Sequence, residues 1–365
     1  MLAGLISLVG LELMGGDPAV LSLALFSGAS LALPFVLFTG GLINVLTRKY
    51  VLSIGIGLIL GCNALFIIDT PVSFILGNAL RMAGSGLILM CISLYTMDFI
   101  PRKQLASAES RKMVFAAMAW MMMPAVGTWM LVNVDQAAPF VISAAFSLLL
   151  LGFFWGLRIA EAKSIKPPDA RAMNFIRNVR RYFANPHMRV AYLIAVVRSC
   201  SWVVIFTYGP IYMRAAGVPT EWVGLFVGSI LSTLLFSPYL ARFAQYLGIR
   251  RTILFSFIMS GVAMALLGLL PEATPLGLLL LVVAALGLDM LETIGNIPFM
   301  RMVTPKVRVE MTSVFSTWRE ISFALTPGVA AVCLLVTDVS GLFVVLGGVL
   351  LAAGILSNNM PLRVD

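Results

Sequence analysis

Long apolar runs separated by short polar segments follow one another along the whole chain. A helix rises 1.5 Å per residue, so about twenty residues cross the hydrocarbon core of a bilayer, which is about 30 Å thick. Eleven of the runs are long enough, whereas the first would reach only about 21 Å. The pattern predicts twelve transmembrane helices, the first incomplete. The runs lie near residues 1–14, 20–43, 50–68, 72–98, 113–132, 138–157, 190–213, 221–244, 252–270, 275–299, 311–336 and 340–357.

The composition agrees with this pattern. Hydrophobic residues make up 60% of the chain and charged residues 11%, and the mean hydropathy is +1.01. Soluble domains are about half apolar and a quarter charged. A transmembrane β-barrel would alternate apolar and polar residues in short segments, which the long runs exclude. We therefore expect an all-α membrane protein.

The sequence contains no visible catalytic or metal-binding constellation. Its four cysteines all fall in apolar runs without CxxC spacing, so we expect packing residues rather than disulfides or ligands. The single histidine, His187, lies in the longest polar loop. No GxxxxGK[ST] loop for ATP is present. We expect no metal, no cofactor other than a proton gradient, and no enzymatic activity.

The basic residues lie on one side of the predicted membrane. If the first span runs outward, 20 of the 25 lysines and arginines fall on the cytoplasmic side, and only Arg214 falls opposite. This positive-inside asymmetry predicts a multi-pass protein of the bacterial inner (plasma) membrane with both termini cytoplasmic. It also accounts for the net charge of +9 through anionic lipid headgroups at the cytoplasmic face, without nucleic acid.

The longest loop, 158–189, separates two sets of six spans at 1–157 and 190–365. Within it, Met173, Ile176, Val179 and Phe183 recur at helical spacing. This spacing predicts a short basic amphipathic helix lying on the cytoplasmic headgroups. A calmodulin-type target helix would look similar. The opposite face carries Arg177, Arg180 and Arg181.

The two sets of spans contain similar short sequences at equivalent positions, which serve as landmarks for aligning them. "GGLINVLTRK" at 40–49 and "ARFAQYLGIRR" at 241–251 occupy equivalent places, and their basic pairs are offset by 202 residues. "PAVG" at 124–127 and "PGVA" at 327–330 are offset by 203. Two parallel homologous halves of this kind are typical of secondary transporters. By the same register the first half is about 14 residues short, so we expect the sequence to begin inside helix 1.

The first landmark resembles the G-x-L-a-D-r-x-G-R-K pattern of the major facilitator superfamily. Gly40, Leu42, Arg48 and Lys49 match it, while Asn44 replaces the acidic residue. In that family the loop latches the two halves on the cytoplasmic side, so the resemblance implies a weaker latch here. Candidate contributors to this gate are Asp98, which could pair with Arg48, and the equivalent basic pair Arg250 and Arg251.

Two further segments resemble the same superfamily. "RMAGSG" at 81–86 is similar to its R-x-x-q-G-x-g pattern, and "MPAVGT" at 123–128 is similar to the G-P-x-x-G-G element of drug/proton antiporters. The resemblance implies a twelve-helix fold of two six-helix halves, acting as a monomer by alternating access. Its nearest branch is the drug/proton antiporters.

Seven ionisable residues fall inside the apolar spans. Each costs about 3 kcal/mol or more at bilayer depth and normally faces a cavity or a partner. In the resembled family helices 1, 4, 7 and 10 line the central cavity, and five of the seven residues lie in those spans. We expect a substrate and proton pathway here. The seven are Glu12, Arg81, Arg198, Asp289, Glu292, Arg319 and Glu320.

Asp289 and Glu292 are three residues apart and share a helix face. Two carboxylates so close in low dielectric should not both ionise easily, which suits proton coupling. The alternative is a structural bridge to Arg319. Adjacent positions on a helix point about 100° apart, which favours a structural role for Arg319 and Glu320.

The remaining candidates each keep two interpretations. Arg81 relays protons or binds an anion, as the resemblance implies, or it is a capped buried arginine. Arg198 receives a carboxylate or phosphate group bidentately, or it snorkels toward the cytoplasm. The mid-span tryptophans line an aromatic pocket for a flat organic substrate, or they pack the helices. These tryptophans are Trp120, Trp202 and Trp318.

These observations predict a secondary active transporter of a small organic solute, with proton-coupled efflux favoured by the segment at 123–128. One alternative is proton-coupled uptake or exchange of an organic anion through Arg81, Arg198 and Arg319. Another is a protein of the same fold that no longer transports and serves as a sensor or assembly factor.

Overall fold

A computed structural model of the chain describes residues 5–37, 46, 48–99, 105–156, 175–303, 311 and 314–358. This part of the chain is helical and contains no strand. The α-helices are α1 Leu5–Leu13, α2 Pro18–Leu37, α3 Arg48–Ile68, α4 Pro71–Phe99, α5 Leu105–Asn133, α6 Ala138–Gly156, α7 Phe175–Ala184, α8 Pro186–Ala215, α9 Thr220–Ser232, α10 Ser237–Leu247, α11 Ile249–Leu269, α12 Pro275–Ile294, α13 Ile297–Met302, α14 Trp318–Leu334 and α15 Val339–Ser357.

Nine helical stretches among the described residues are long and apolar enough to cross a membrane. This confirms the predicted all-α, multi-pass membrane protein. Within the described residues, the helices of the other three predicted spans are shorter than the apolar runs. The first is the nine-residue α1, and the eighth is interrupted by a 3₁₀ turn at Thr233–Phe236 between α9 and α10. The eleventh, α14, has 17 residues.

Polar caps set several helix starts. Asp17 Oδ1 accepts a hydrogen bond from the Ala19 amide at 2.8 Å, directly before Pro18 opens α2. Asn185 caps α8 in the same way, with Pro186 as the first helical residue. Asp338 Oδ1 accepts from the Gly341 amide at 2.8 Å and begins α15. Each cap satisfies an amide that has no partner within the helix.

The chain divides into two compact units. The first comprises Met1–Pro167 with Thr220–Gly228, and the second comprises Pro168–Pro219 with Ser229–Asp365. In the first unit α3 and α4 approach closely, since a Cβ on Gly84 would lie 2.7 Å from the Gly55 carbonyl oxygen. In the second unit a Cβ on Gly347 of α15 would lie 2.6 Å from the Ala265 amide of α11. Small residues permit this approach between apolar helices.

The amphipathic helix α7 packs against other helices of the second unit through Tyr182. That ring is fully buried among α8, α13 and residues 311, 314 and 315, and its hydroxyl donates to the Met188 carbonyl at 3.1 Å. Asn178, one turn earlier, is also buried. Phe183, which the sequence placed on the apolar face of this helix, has a side chain that is 37% exposed. The three predicted basic residues of this helix are exposed, so the helix is anchored on protein and presents its arginines outward.

Burial affects the chemistry of that anchor. It raises the pKa of the Tyr182 hydroxyl. The group therefore stays protonated at neutral pH and can donate its hydrogen bond to Met188. Around it, Phe299 and Phe315 stack face to face with centroids 3.9 Å apart. The hydroxyls of Tyr192 and Thr317 form a hydrogen bond, with their oxygens 2.8 Å apart.

Candidate functional site

Arg198 is the largest fully buried side chain of the described structure, with 0% exposure. It lies on α8 and reaches the end of α12. Its Nη1 donates to the Leu291 carbonyl at 3.1 Å, and its Nη2 donates to Asn296 Oδ1 at 3.3 Å. Its Nε lies 3.0 Å from Glu292 Oε2. Each guanidinium nitrogen therefore has a protein oxygen beside it.

The tenth predicted span is interrupted where Arg198 meets it. Helix α12 ends at Ile294, and Gly295 and Asn296 separate it from α13. Pro298 follows directly and has no amide to donate to the Ile294 carbonyl, which favours a break here. A Cβ on Gly295 would lie 2.7 Å from Arg198 Nη1. Glycine thus makes room for the guanidinium at the end of α12.

Asp289 and Glu292 project from the last turns of α12. Asp289 is 0% exposed, whereas the Glu292 side chain is 26% exposed. The sequence offered Arg319 as their structural partner. The ion pair of Glu292 is instead with Arg198, because α8 packs directly against the end of α12. Asp289 lies on the same face of α12 as Glu292, and Arg198 balances the charge of Glu292.

The first turn of α14 lies beside this ion pair. The Trp318 ring is 4.9 Å from the Arg198 guanidinium carbon and 5.2 Å from that of Arg319. Arg319 itself is exposed, and Glu320 is half-buried. Ser322 Oγ donates to the Val196 carbonyl of α8 at 3.3 Å. Helices α8, α12 and α14 therefore meet at one charged cluster around Arg198.

An aromatic pair continues along α8 from Arg198. Trp202 is one helical turn further and Phe206 two turns further, and their rings stack with centroids 5.2 Å apart and an interplanar angle of 14°. Both side chains are half-buried. They form an apolar wall on the α8 face that carries Arg198.

Arg81 occupies a separate polar site in the first unit. Its Nη2 and Nε both donate to Asn78 Oδ1, at 2.8 and 3.2 Å, and Asn78 is 1% exposed. This geometry is that of a capped arginine held within its own helix.

The other predicted site residues lie apart from these clusters. Glu12 is exposed on α1, and Trp120 is 47% exposed on α5. The Lys49 ammonium lies 3.8 Å from the centroid of the Trp155 ring. At the start of α11, Arg250 is half-buried and Arg251 exposed. Outside the described residues lie Gly40, Leu42 and Asn44, and outside the described side chains lie Arg48 and Asp98.

Sequence reasoning missed three residues of the charged sites: Asn78, Gly295 and Asn296. Two of these residues are neutral amides that serve as acceptors for arginine, so they carry no charge to distinguish them within an apolar run. Their signals are visible in the sequence. Asn78 precedes Arg81 by three residues, and "GNIP" at 295–298 joins a glycine, an amide and a proline inside an apolar run.

Among the described residues no group of three or more histidine, cysteine or acidic side chains could hold a metal ion. What the structure does contain is a series of apolar membrane-length helices with a buried ion pair at an interrupted span. These features define a polytopic helical membrane protein of the transporter type.

The family model of the Major Facilitator Superfamily matches residues 1–236, and the chain belongs to this superfamily. Membrane transport is therefore its class of activity, and the superfamily resemblance drawn from the sequence is confirmed. No curated protein sequence matches the chain.

Solved transporter structures share the fold. The nucleoside transporter NupG superposes with a TM-score of 0.73 at 16% identity, covering 98% of this chain and 97% of that one. A peptide transporter POT in complex with sulfate gives a TM-score of 0.74 at 14% identity, covering 99% and 92%. A D-xylose-proton symporter gives 0.75 at 12% identity, covering 95% and 89%. Identities this low establish the fold alone.

Proposed function

We propose that the chain is a proton-coupled secondary transporter that exports a small organic solute by alternating access, with Asp289 and Glu292 as its proton-carrying groups. The observation that carries this proposal is the ion pair of Arg198 with Glu292 beside the fully buried Asp289.

Charge balance supports a proton at this pair. Arg198 compensates one carboxylate, and the second carboxyl is three residues away on the same face of α12. Two carboxylates this close in a low dielectric are more stable when they share one proton. The pair therefore has the composition of a site that loads and releases a proton.

The geometry of the ion pair suits a group that must change partners. The Nε–Oε2 distance is 3.0 Å, but the Nε hydrogen does not point at the carboxylate in hydrogen-bond geometry. Glu292 is also partly exposed, so a proton or solute can reach it. The site lies at an interrupted helix, and transporters commonly place their binding sites at such interruptions.

The proposal includes an orientation. The termini and the basic residues of α7 would face the cytoplasm of a bacterial inner membrane and contact anionic headgroups, and the protein would act as a monomer. The exposed Arg177, Arg180 and Arg181 support this orientation, since basic residues concentrate on cytoplasmic surfaces.

Transport assays in reconstituted liposomes test the proposal. Vesicles made acidic inside would be screened for accumulation of labelled amines, carboxylates and neutral solutes. We expect at least one solute to accumulate. A protonophore should abolish this accumulation, and Glu292→Gln should show none. The control is Glu272→Gln, which alters an exposed glutamate outside the spans. Accumulation only when the vesicle exterior is acidic would indicate symport, and an unaffected Glu292→Gln would remove the pair from the proton pathway.

A further inference from the structure

Helix α7 connects an exposed basic surface to α13, the short helix that follows the break in the tenth span. We propose that anionic phospholipid headgroups bind the exposed arginines of α7, and that the bound lipid holds α13 in position beside the break. This inference rests on the proposed orientation of the protein, and it adds regulation of the Arg198 site by lipid.

The outer surface of α7 and of the first turn of α8 is strongly basic. Residues 175–190 contain four arginines and no aspartate or glutamate, and all four arginines are exposed. Two of them, Arg180 and Arg189, make no hydrogen bond or ion pair with the described part of the chain. Each basic residue near an anionic membrane surface strengthens the attraction about fivefold. The charge of this surface therefore favours anionic headgroups over zwitterionic ones.

The opposite face of α7 is occupied by protein. Tyr182 and Asn178 are buried, and Val179 packs against the same apolar cluster. An amphipathic helix that inserts into a bilayer uses its apolar face to contact the acyl chains, and on α7 these residues already contact other helices. The helix therefore binds headgroups mainly through charge, and high salt should weaken the interaction.

Tyr182 connects α7 to α13. Its ring centroid lies 6.2 Å from that of Phe299, which is buried on α13. Phe299 in turn stacks on Phe315 with centroids 3.9 Å apart. The Tyr182 hydroxyl donates to the Met188 carbonyl in the first turn of α8. Helix α7, the start of α8 and α13 therefore belong to one packed cluster.

Helix α13 begins at the site of Arg198. Asn296 directly precedes this helix, and its Oδ1 accepts a hydrogen bond from Arg198 Nη2 at 3.3 Å. Only Gly295 and Asn296 separate α13 from α12, which carries Glu292. A displacement of α13 would therefore move Asn296 and change the hydrogen bonds of the guanidinium. The contacts of Tyr182 with Phe299 thus connect the position of α7 to the position of Arg198.

Lipid binding should favour the arrangement in which α7 is folded. Arg177 lies three residues before Arg180 and four before Arg181, so folding of α7 places all three on one face of the helix. A headgroup surface binds this face more tightly than it binds an unfolded segment, and a ligand raises the population of the state that it prefers. Anionic lipid should therefore reduce local unfolding of α7 and α13. A membrane without it should lower the transport rate.

Hydrogen–deuterium exchange of the purified protein in nanodiscs tests this inference and needs no transported solute. One set of discs contains phosphatidylcholine alone, and the other contains phosphatidylcholine with phosphatidylglycerol. We expect phosphatidylglycerol to slow amide exchange in both α7 and α13 at least about fivefold, and high salt to reverse most of this protection. The double variant Arg180→Gln with Arg189→Gln should lose most of the protection in both helices.

Two further variants separate lipid binding from its effect on α13. Arg214→Gln is the matched control, because it removes an exposed arginine at the opposite end of α8, and it should keep the full protection. In Tyr182→Ala the arginines remain but the contact with α13 is lost, so phosphatidylglycerol should no longer slow exchange in α13. Thermal unfolding would show whether each variant is folded. If Tyr182→Ala does not fold, Phe299→Leu, which weakens the same contact, decides.

Three results would overturn the inference. These are equal exchange in the two kinds of disc, full protection in the double arginine variant, and protection of α7 without protection of α13 in the unsubstituted protein. Transport assays in liposomes of the same two compositions separate this inference from the proposed function. Equal transport rates with and without phosphatidylglycerol would remove the regulation and leave the proposed function standing. Protection by phosphatidylglycerol without proton-driven transport would do the reverse.

Discussion

Arg198 Nε lies 3.0 Å from Glu292 Oε2, and this ion pair joins α8 to the end of α12. A buried ion pair contributes little net stability compared with apolar residues of the same size, but removal of one partner is costly. The pair therefore restricts which helix arrangements are stable. It also provides a charge that a proton or a ligand can change.

Removal of the arginine alone should destabilise the protein. Arg198→Ala would leave Glu292 beside Asp289 without its cation, and we expect the free energy of unfolding to fall by about 3 kcal/mol. The double variant Arg198→Met with Glu292→Met should recover most of this loss, because it removes both charges. Thermal unfolding in detergent provides the comparison. Equal destabilisation in the single and double variants would show that packing, not charge, is lost.

The space left by Gly295 should be required for the position of Arg198. Gly295→Ala would place a Cβ 2.5 Å from the Leu291 carbonyl oxygen and 2.7 Å from Nη1, so both the end of α12 and the guanidinium must shift. We expect a loss of about 1–3 kcal/mol and a lower transport rate. Gly348→Ala on α15 is the matched control, since no atom lies within 4 Å of its added Cβ, and it should be neutral or slightly stabilising. An unfolding temperature that falls equally in both variants would contradict this account.

Asn78 should hold Arg81 in place. Asn78→Ala removes the acceptor of two arginine hydrogen bonds in a buried site, at a cost of about 1–3 kcal/mol. The corresponding control is Asn133→Ala, because Asn133 is exposed and its amide donates to the carbonyl of Trp129 in its own helix. Thermal unfolding of the two variants should differ clearly. Similar midpoints would mean that Arg81 finds another acceptor without cost.

Tyr182 should keep α7 folded against the second unit. Tyr182→Phe loses one hydrogen bond and should cost about 1 kcal/mol, whereas Tyr182→Ala empties a fully buried site and should cost about 3 kcal/mol or more. Trypsin cleavage after the arginines of α7 measures the effect, because cleavage requires local unfolding. Tyr246→Ala, at an 88% exposed residue, should leave the cleavage rate unchanged. Cleavage at the same rate in Tyr182→Ala would show that α7 does not depend on this anchor.

The sequence was informative where the physical signal is local. Apolar run lengths identify the spans, and charges in those runs identify Arg198, Asp289 and Glu292 as residues that need a partner. The partner itself depends on which helices pack together, so the sequence did not indicate that Glu292 pairs with Arg198. Tyr182 was missed for a related reason. Because tyrosine carries a polar hydroxyl, the sequence did not place Tyr182 on the apolar face of α7. Its ring is buried through the contacts of α7 with α8 and α13, which depend on the tertiary structure.

The most direct test of the central claim measures proton movement driven by the solute in liposomes that contain the purified protein. A pH-sensitive dye would be enclosed in the vesicles, and a solute that accumulates in the transport assay would be added outside. We expect the internal pH to rise as protons leave in exchange for the solute, and no such rise in Asp289→Asn with Glu292→Gln. Glu272→Gln should behave as the unsubstituted protein does. Solute uptake without proton movement, or equal proton movement in the doubly substituted protein, would contradict proton coupling at this site.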